Sequence, residues 1–153
     1  MNQKVELSWE DQPVNIKFKI SALWVTMLFV FAYVDIFGFF RADVLGDAMA
    51  GRVSVFAVSQ SFLLFTTIYI LIPSAMVFLS LVLRPSINRT VNIALAVIYA
   101  LSIVLACLDE QWLYFIVGSV IEIVILGMIA RYAWNWPRQS IVAATGQAQN
   151  ASA

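Results

Sequence analysis

The chain contains no histidine. That absence excludes a Ser-His-Asp triad, a Cys-His pair, histidine-ligated haem and the usual zinc constellations, since each needs an imidazole as base or ligand. The single cysteine, Cys107, cannot form a disulfide within the chain and says nothing about redox compartment. Lying in an apolar run, it reads as a small buried hydrophobe. Charge is scarce and balanced: nine Lys and Arg against nine Asp and Glu in 153 residues. With no net charge and no basic run, a nucleic-acid partner has no electrostatic footing. Chemistry is left to carboxylates, tyrosines and amides, and no metal or cofactor motif is present.

What remains is hydrocarbon. Hydrophobic residues make up 62% of the chain and the mean hydropathy is +0.88, against roughly 45–50% apolar in soluble domains. The composition is that of an integral membrane protein. A helix of about 20 residues crosses the hydrocarbon core, and four segments reach that length: 20–40, 56–83, 91–108 and 112–132. Pro73, inside the second, removes a backbone hydrogen bond and is expected to kink that helix. Short connections at 84–90 and 109–111 make consecutive helices antiparallel neighbours. The expected fold is all-α, an up-down bundle of four transmembrane helices forming one domain over 1–138, with a flexible polar tail over 139–153.

The segment 1–19 carries three acids and three lysines, unlike the basic start of a secretory signal, so the first apolar run is read as a retained span. No internal repeat marks an inverted-topology transporter. Lys4, Lys17, Lys19, Arg84, Arg89, Arg131 and Arg138 would share one side of the membrane. The other would hold Arg41 and Arg52 among Asp43, Asp47, Asp109 and Glu110. The positive-inside rule then puts both termini in the cytoplasm, in a multi-pass plasma (cytoplasmic) membrane protein. Trp112, Tyr132, Trp134 and Trp136 fall at helix ends, where they read as interfacial anchors.

Two acids interrupt the apolar spans, Asp35 and Glu122, and neither span holds a cation to pair with them. An Asp at a helix centre costs roughly 2.5–3.5 kcal/mol on insertion scales, so such residues mark sites more often than accidents. Asp35 falls about 7–8 Å from the end of its span, while Glu122 falls about 15 Å deep, near the midplane. Gly118 and Ser119 share the face of Glu122 and permit close helix approach, which turns that face into the bundle. Gln60 lies at a depth suited to Asp35, and Tyr33, Tyr69, Tyr99, Thr66 and Thr67 supply hydroxyls from the same or neighbouring spans. Glu122, Asp35, Gln60, Tyr33, Tyr69 and Tyr99 are therefore the candidate ligand-binding or proton-relay residues. Asn88 and Asn92, at the start of the third span, are read as helix caps. Asn88-Arg89-Thr90 matches the N-glycosylation pattern but falls on the cytoplasmic side, where it goes unused.

Three readings fit these residues. The first is binding or proton-linked transport of a small amphipathic or lipid ligand through a cavity containing Glu122 and Asp35, in a chain small enough to need a homo-oligomer. The second is a structural or accessory subunit whose polar residues only tie helices together, each bond contributing roughly 1 kcal/mol or less. The third is a membrane-embedded enzyme using the two acids on a lipid or polyprenyl substrate.

Several separated motifs occur in order: Tyr33-Val34-Asp35-Ile36-Phe37-Gly38, Ser59-Gln60-Ser61-Phe62-Leu63-Leu64, Pro73-Ser74-Ala75-Met76-Val77, Asn88-Arg89-Thr90-Val91-Asn92-Ile93, Ile121-Glu122-Ile123, and Tyr132-Ala133-Trp134-Asn135-Trp136. Together they resemble an uncharacterised family of small four-span membrane proteins, catalogued only as a domain of unknown function. The resemblance runs from about residue 22 to 136 and implies a four-helix membrane protein, with no activity attached. Members of that family tend to carry an acid just before the Ile-Pro of the second span, where this chain has Leu71-Ile72-Pro73.

Overall fold

The computed structural model describes residues 13–108 and 110–137. Lys4, Asp109, Arg138 and the tail over 139–153 lie outside the described residues. In chain order the elements are α1 (Ile16–Gly38), α2 (Ala42–Met49), β1 (Arg52–Val53), β2 (Phe56–Ala57), α3 (Gln60–Val82), α4 (Pro85–Ala106) and α5 (Leu113–Trp134). Helices α1, α3, α4 and α5 are long and apolar enough to cross a membrane. The fold is all-α, as expected. Two features between the first spans were not anticipated, namely the short helix α2 and the antiparallel hairpin of β1 and β2. Residues 56–57, assigned to the second span, belong to that hairpin; its turn has Ser54 at positive φ, and Gly51 takes positive φ just before β1.

The long helices form a ring in which α1 touches α3 and α5, and α4 touches α3 and α5. One end of the ring gathers the starts of α1 and α4 with the ends of α3 and α5. Lys17 Nζ there donates to Leu81 O and Leu83 O, each at 2.9 Å, and closes the carbonyl end of α3. The cations Lys17, Lys19, Arg84, Arg89 and Arg131 lie toward this basic end, and among the described residues none forms an ion pair. The opposite end holds α2, the hairpin, and an Arg41 that bonds both Asp43 (2.6 Å) and Glu110 (2.9 Å). Arg52 pairs with Asp47 at 2.9 Å. This is the acidic end.

Glu110 also caps α5, accepting from the N–H groups of Gln111 and Trp112 at 2.9 and 3.0 Å. Burial pushes its carboxyl upward, but the bonds from Trp112 N–H, Arg41 and Gln111 N–H outweigh this and hold it below the ordinary glutamate value. A lowered folded-state value adds stability that is present above the unfolded value and lost as pH falls through the folded one. Arg41 stacks on Trp112 at 4.6 Å, so Trp112 fluorescence should change on acidification below the ordinary glutamate range. A Glu110→Gln variant should lose the Glu110 part of this change and keep only that of Asp43, whose carboxyl the Arg41 hydrogen bond also holds below its ordinary value.

The core is uneven along the bundle. Its buried apolar residues are Ile20, Trp24 and Met27 of α1, Met76 of α3, Ala96, Tyr99 and Ile103 of α4, and Ile125, Leu126, Ile129 and Ala133 of α5, so that past the middle toward the acidic end only α4 contributes. Helix α3 accounts for the imbalance: its buried residues are Pro73, Met76 and Ser80, whereas 63–68 are exposed throughout. Beyond Pro73 toward the acidic end α3 buries none of its own residues, although Tyr69 still packs against Phe31 of α1 and Tyr99 of α4. Helices α1 and α5 stay close there, because Gly118 of α5 admits Val34 of α1 where any Cβ would overlap a Val34 methyl. Gly118→Ala is expected to cost roughly 1–3 kcal/mol by overpacking. Combining it with Val34→Ala should recover most of the loss in thermal unfolding, since the removed methyls make the room.

Candidate functional site

Glu122 sits on the buried stripe of α5 formed by Gly118, Ser119, Glu122, Ile125, Leu126, Ile129 and Ala133. It lies about 13.5 Å along the axis from Leu113, near the middle of a 22-residue helix. The residue is 3% exposed. Among the described residues, no hydrogen bond or ion pair reaches its carboxyl. A buried acid without a partner is costly.

Asp35 follows Trp24 and Phe31 on α1 by eleven and four residues, so all three share one face. Trp24 is fully buried and Phe31 packs against Tyr69 of α3 with ring centroids 6.3 Å apart. Asp35 faces the same way but is exposed, as are residues 63–68 of α3. With Gly118 level with Val34, Glu122 lies about 7–8 Å deeper than Asp35 along the bundle axis. This half of the bundle, open in that residues 63–68 of α3 are all exposed, has Asp35 toward its rim and Glu122 deeper, toward its floor.

Pro73 organises the floor. Lacking an N–H, it cannot bond the carbonyl four residues earlier, that of Tyr69. The Tyr99 hydroxyl of α4 donates to that carbonyl instead, at 2.5 Å. Tyr69 and Ser102 share a hydroxyl–hydroxyl bond of 2.7 Å, and Ser102 donates to Tyr99 O at 2.8 Å. The two tyrosine rings lie 4.8 Å apart. Tyr69 and Tyr99 therefore meet in one cluster tying α3 to α4. Tyr99→Phe should destabilise the protein by roughly 1–3 kcal/mol by orphaning the Tyr69 carbonyl. Adding Pro73→Ala restores the missing backbone donor and should recover stability, as followed by thermal unfolding of the single and double variants.

The other candidates are placed differently. Gln60 is exposed at the start of α3. Thr66 and Thr67 bond back to their own helix, at Phe62 O and Leu63 O. Tyr33 is exposed and points about 200° round α1 from Asp35. It lines an apolar groove of about 420 Å³ between α1 and α5, with Phe29, Val34, Phe37, Tyr114 and Val117. Neither Asp35 nor Glu122 lines that groove.

A polar network near the basic end was not foreseen from sequence. Asn92 Oδ1 accepts from Trp24 Nε1 at 2.7 Å, Asn92 Nδ2 donates to Asn88 Oδ1 at 2.6 Å, and Asn88 Nδ2 donates to Ser80 O at 2.6 Å. Trp24, Ser80, Asn88 and Asn92 are fully buried. The expected capping of the third span is corrected: α4 starts at Pro85, with Arg84 at its cap position and no side-chain cap. Asn88 instead serves a carbonyl in the last turn of α3, and Asn92 joins α4 to α1. A buried amide engaged in these bonds is also unavailable as a glycan acceptor.

The described residues hold no group of three or more His, Cys, Asp or Glu able to bind a metal ion. A model described as a family of unknown function, DUF6326, matches residues 6–143, and the chain belongs to that family. No curated protein and no solved structure matches the chain. The resemblance read from the separated motifs is thereby borne out, over a somewhat longer stretch.

Proposed function

We propose that this member of DUF6326 binds a small amphipathic molecule in the open half of its bundle, with Glu122 as the group that receives the ligand and Asp35 at the entrance. The carrying observation is the Glu122 carboxyl: buried in mid-helix, with neither a hydrogen bond nor a cation among the described residues. The ties between helices are made by other residues. Asn88, Asn92, Ser80, Tyr69, Tyr99 and Ser102 all bond across helices, whereas Glu122 bonds nothing, which argues against a purely structural role.

Two acids with no counterion in an apolar setting complement a ligand with an amine at one end and hydrocarbon at the other. A protonated amine and a proton compete for the same carboxylate: arrival of the ligand sends the proton toward Asp35 and the aqueous rim, and departure of the ligand lets it return. Binding and proton exchange are thus one event, and this is the basis for proton-linked transport in the same site. By the positive-inside rule the basic end faces the cytoplasm and the open half faces outward. The acid–base enzyme reading has no comparable support, because no nucleophile or second catalytic group meets Glu122.

The aromatic amine 1-aminoanthracene provides the test, its fluorescence rising on transfer to an apolar site. Full-length protein in mild detergent should give a saturable increase that Glu122→Gln abolishes and Asp35→Asn weakens. Equal saturation of wild type and Glu122→Gln would overturn the assignment.

A further inference from the structure

At the basic end, remote from Glu122, a cleft of about 1060 Å³ opens between the starts of α1 and α4 and the end of α5. Lys17, Lys19, Arg89, Ser86, Tyr132 and Trp136 are among its lining residues, and among the described residues no acid is. We infer that this cleft binds a net-anionic phosphate group, of the kind carried by an acidic phospholipid headgroup.

Four independent features converge on that chemistry. First, the cations of the cleft are held in place, and none of them pairs with an acid among the described residues. Lys17 Nζ is fixed by two carbonyls, Lys19 Nζ lies 5.7 Å from the centroid of the Tyr132 ring, and the Arg89 guanidinium lies 5.2 Å from that of Trp134. At the opposite end, by contrast, Arg41 and Arg52 are both paired with acids.

Second, Arg89 Nε is buried and is without a hydrogen-bond partner among the described residues. A buried guanidinium N–H left unmade is costly, and an oxyanion beside it would satisfy it. Third, α4 begins at the cleft with no side-chain cap, so N–H groups of its first turn, at Ser86, are free to meet an anion. Fourth, Tyr132 and Trp136 supply the aromatic flank that suits a headgroup-level site. A basic pocket between helices at a membrane face is the geometry that acidic lipid headgroups occupy.

Intrinsic tryptophan fluorescence reads the site, since Trp136 lines it. Full-length protein in mild detergent is titrated with dihexanoyl phosphatidylglycerol, dihexanoyl phosphatidylcholine and inorganic phosphate. A saturable response to the phosphatidylglycerol that the phosphatidylcholine does not give is expected. Lys19→Gln and Arg89→Gln should each weaken it about fivefold, in line with the contribution of one basic residue at an anionic surface, while Lys19→Arg retains it. Competition by inorganic phosphate would identify free phosphate as a sufficient ligand, and its failure to compete would assign the site to lipid. Equal response to the two lipids, or unchanged affinity in Lys19→Gln, whose exposed side chain makes loss of folding an inadequate explanation, would overturn the inference. A Glu122→Gln protein should respond as wild type does, which separates this site from the one in the open half.

Discussion

Replacing Glu122 with methionine is expected to stabilise the ligand-free protein while abolishing ligand binding. The side chain is 3% exposed and unbonded, so its carboxyl gives up hydration and receives nothing in return. Methionine keeps the length and volume of the side chain, removes the desolvated group, and adds contacts beside Ser119, Ile125 and Leu126. Exchanging an unpartnered buried polar group for an apolar one of similar shape should gain on the order of 1–3 kcal/mol. Thermal unfolding in mild detergent, with ligand stripped from both proteins, measures the change. If Glu122 tied helices together, methionine would instead lower the midpoint. A gain in stability with loss of binding is the signature of a residue retained for function at the expense of the fold.

The opposite result is expected at Asn92. Asn92→Leu removes the acceptor for the Trp24 indole N–H and the donor to Asn88 O and Asn88 Oδ1, at the meeting point of α1, α3 and α4. Each stranded group costs about 1–3 kcal/mol, so the combined loss should be on the order of 3 kcal/mol or more. Trp24→Phe added to Asn92→Leu removes the orphaned indole donor along with its acceptor and should return part of that stability. The double variant should therefore unfold at a higher temperature than Asn92→Leu alone. An Asn92→Leu protein as stable as wild type would show that the network contributes little to the bundle.

The contrast between these two residues explains how much was legible in the sequence. Hydropathy alone locates α1, α3, α4 and α5, because a membrane requires long apolar runs whatever they pack against. Glu122 was legible for the same reason: an acid in such a run has no ordinary explanation, and its neighbours Gly118 and Ser119 marked the inward face. Asn92 was misread because the third span seemed to begin at residue 91. With Pro85 as the first helical residue, Asn88 and Asn92 lie within the helix, and their partners Ser80 and Trp24 come from other helices that local spacing cannot reveal.

Pro73 shows the same limit. Its missing N–H follows from the residue itself, but that Tyr99 supplies the substitute donor depends on how α3 meets α4. The exposure of 63–68 on α3 is likewise invisible to periodicity, since the run 62–72 is apolar but for Thr66, Thr67 and Tyr69. It places Asp35, a shallow acid near a helix end, on the exposed continuation of the α1 face that buries Trp24. Helix α2 and the hairpin escaped notice because strands of two residues leave no alternating pattern to read.

The central claim, that Glu122 receives a ligand, is tested most directly by mass spectrometry of the small molecules and lipids that co-purify with the full-length protein in mild detergent, compared with those retained by Glu122→Gln. A specific amphipathic amine present in stoichiometric amount with wild type and absent from the variant is the predicted result. The same complement of molecules bound to both proteins in equal amounts would contradict it.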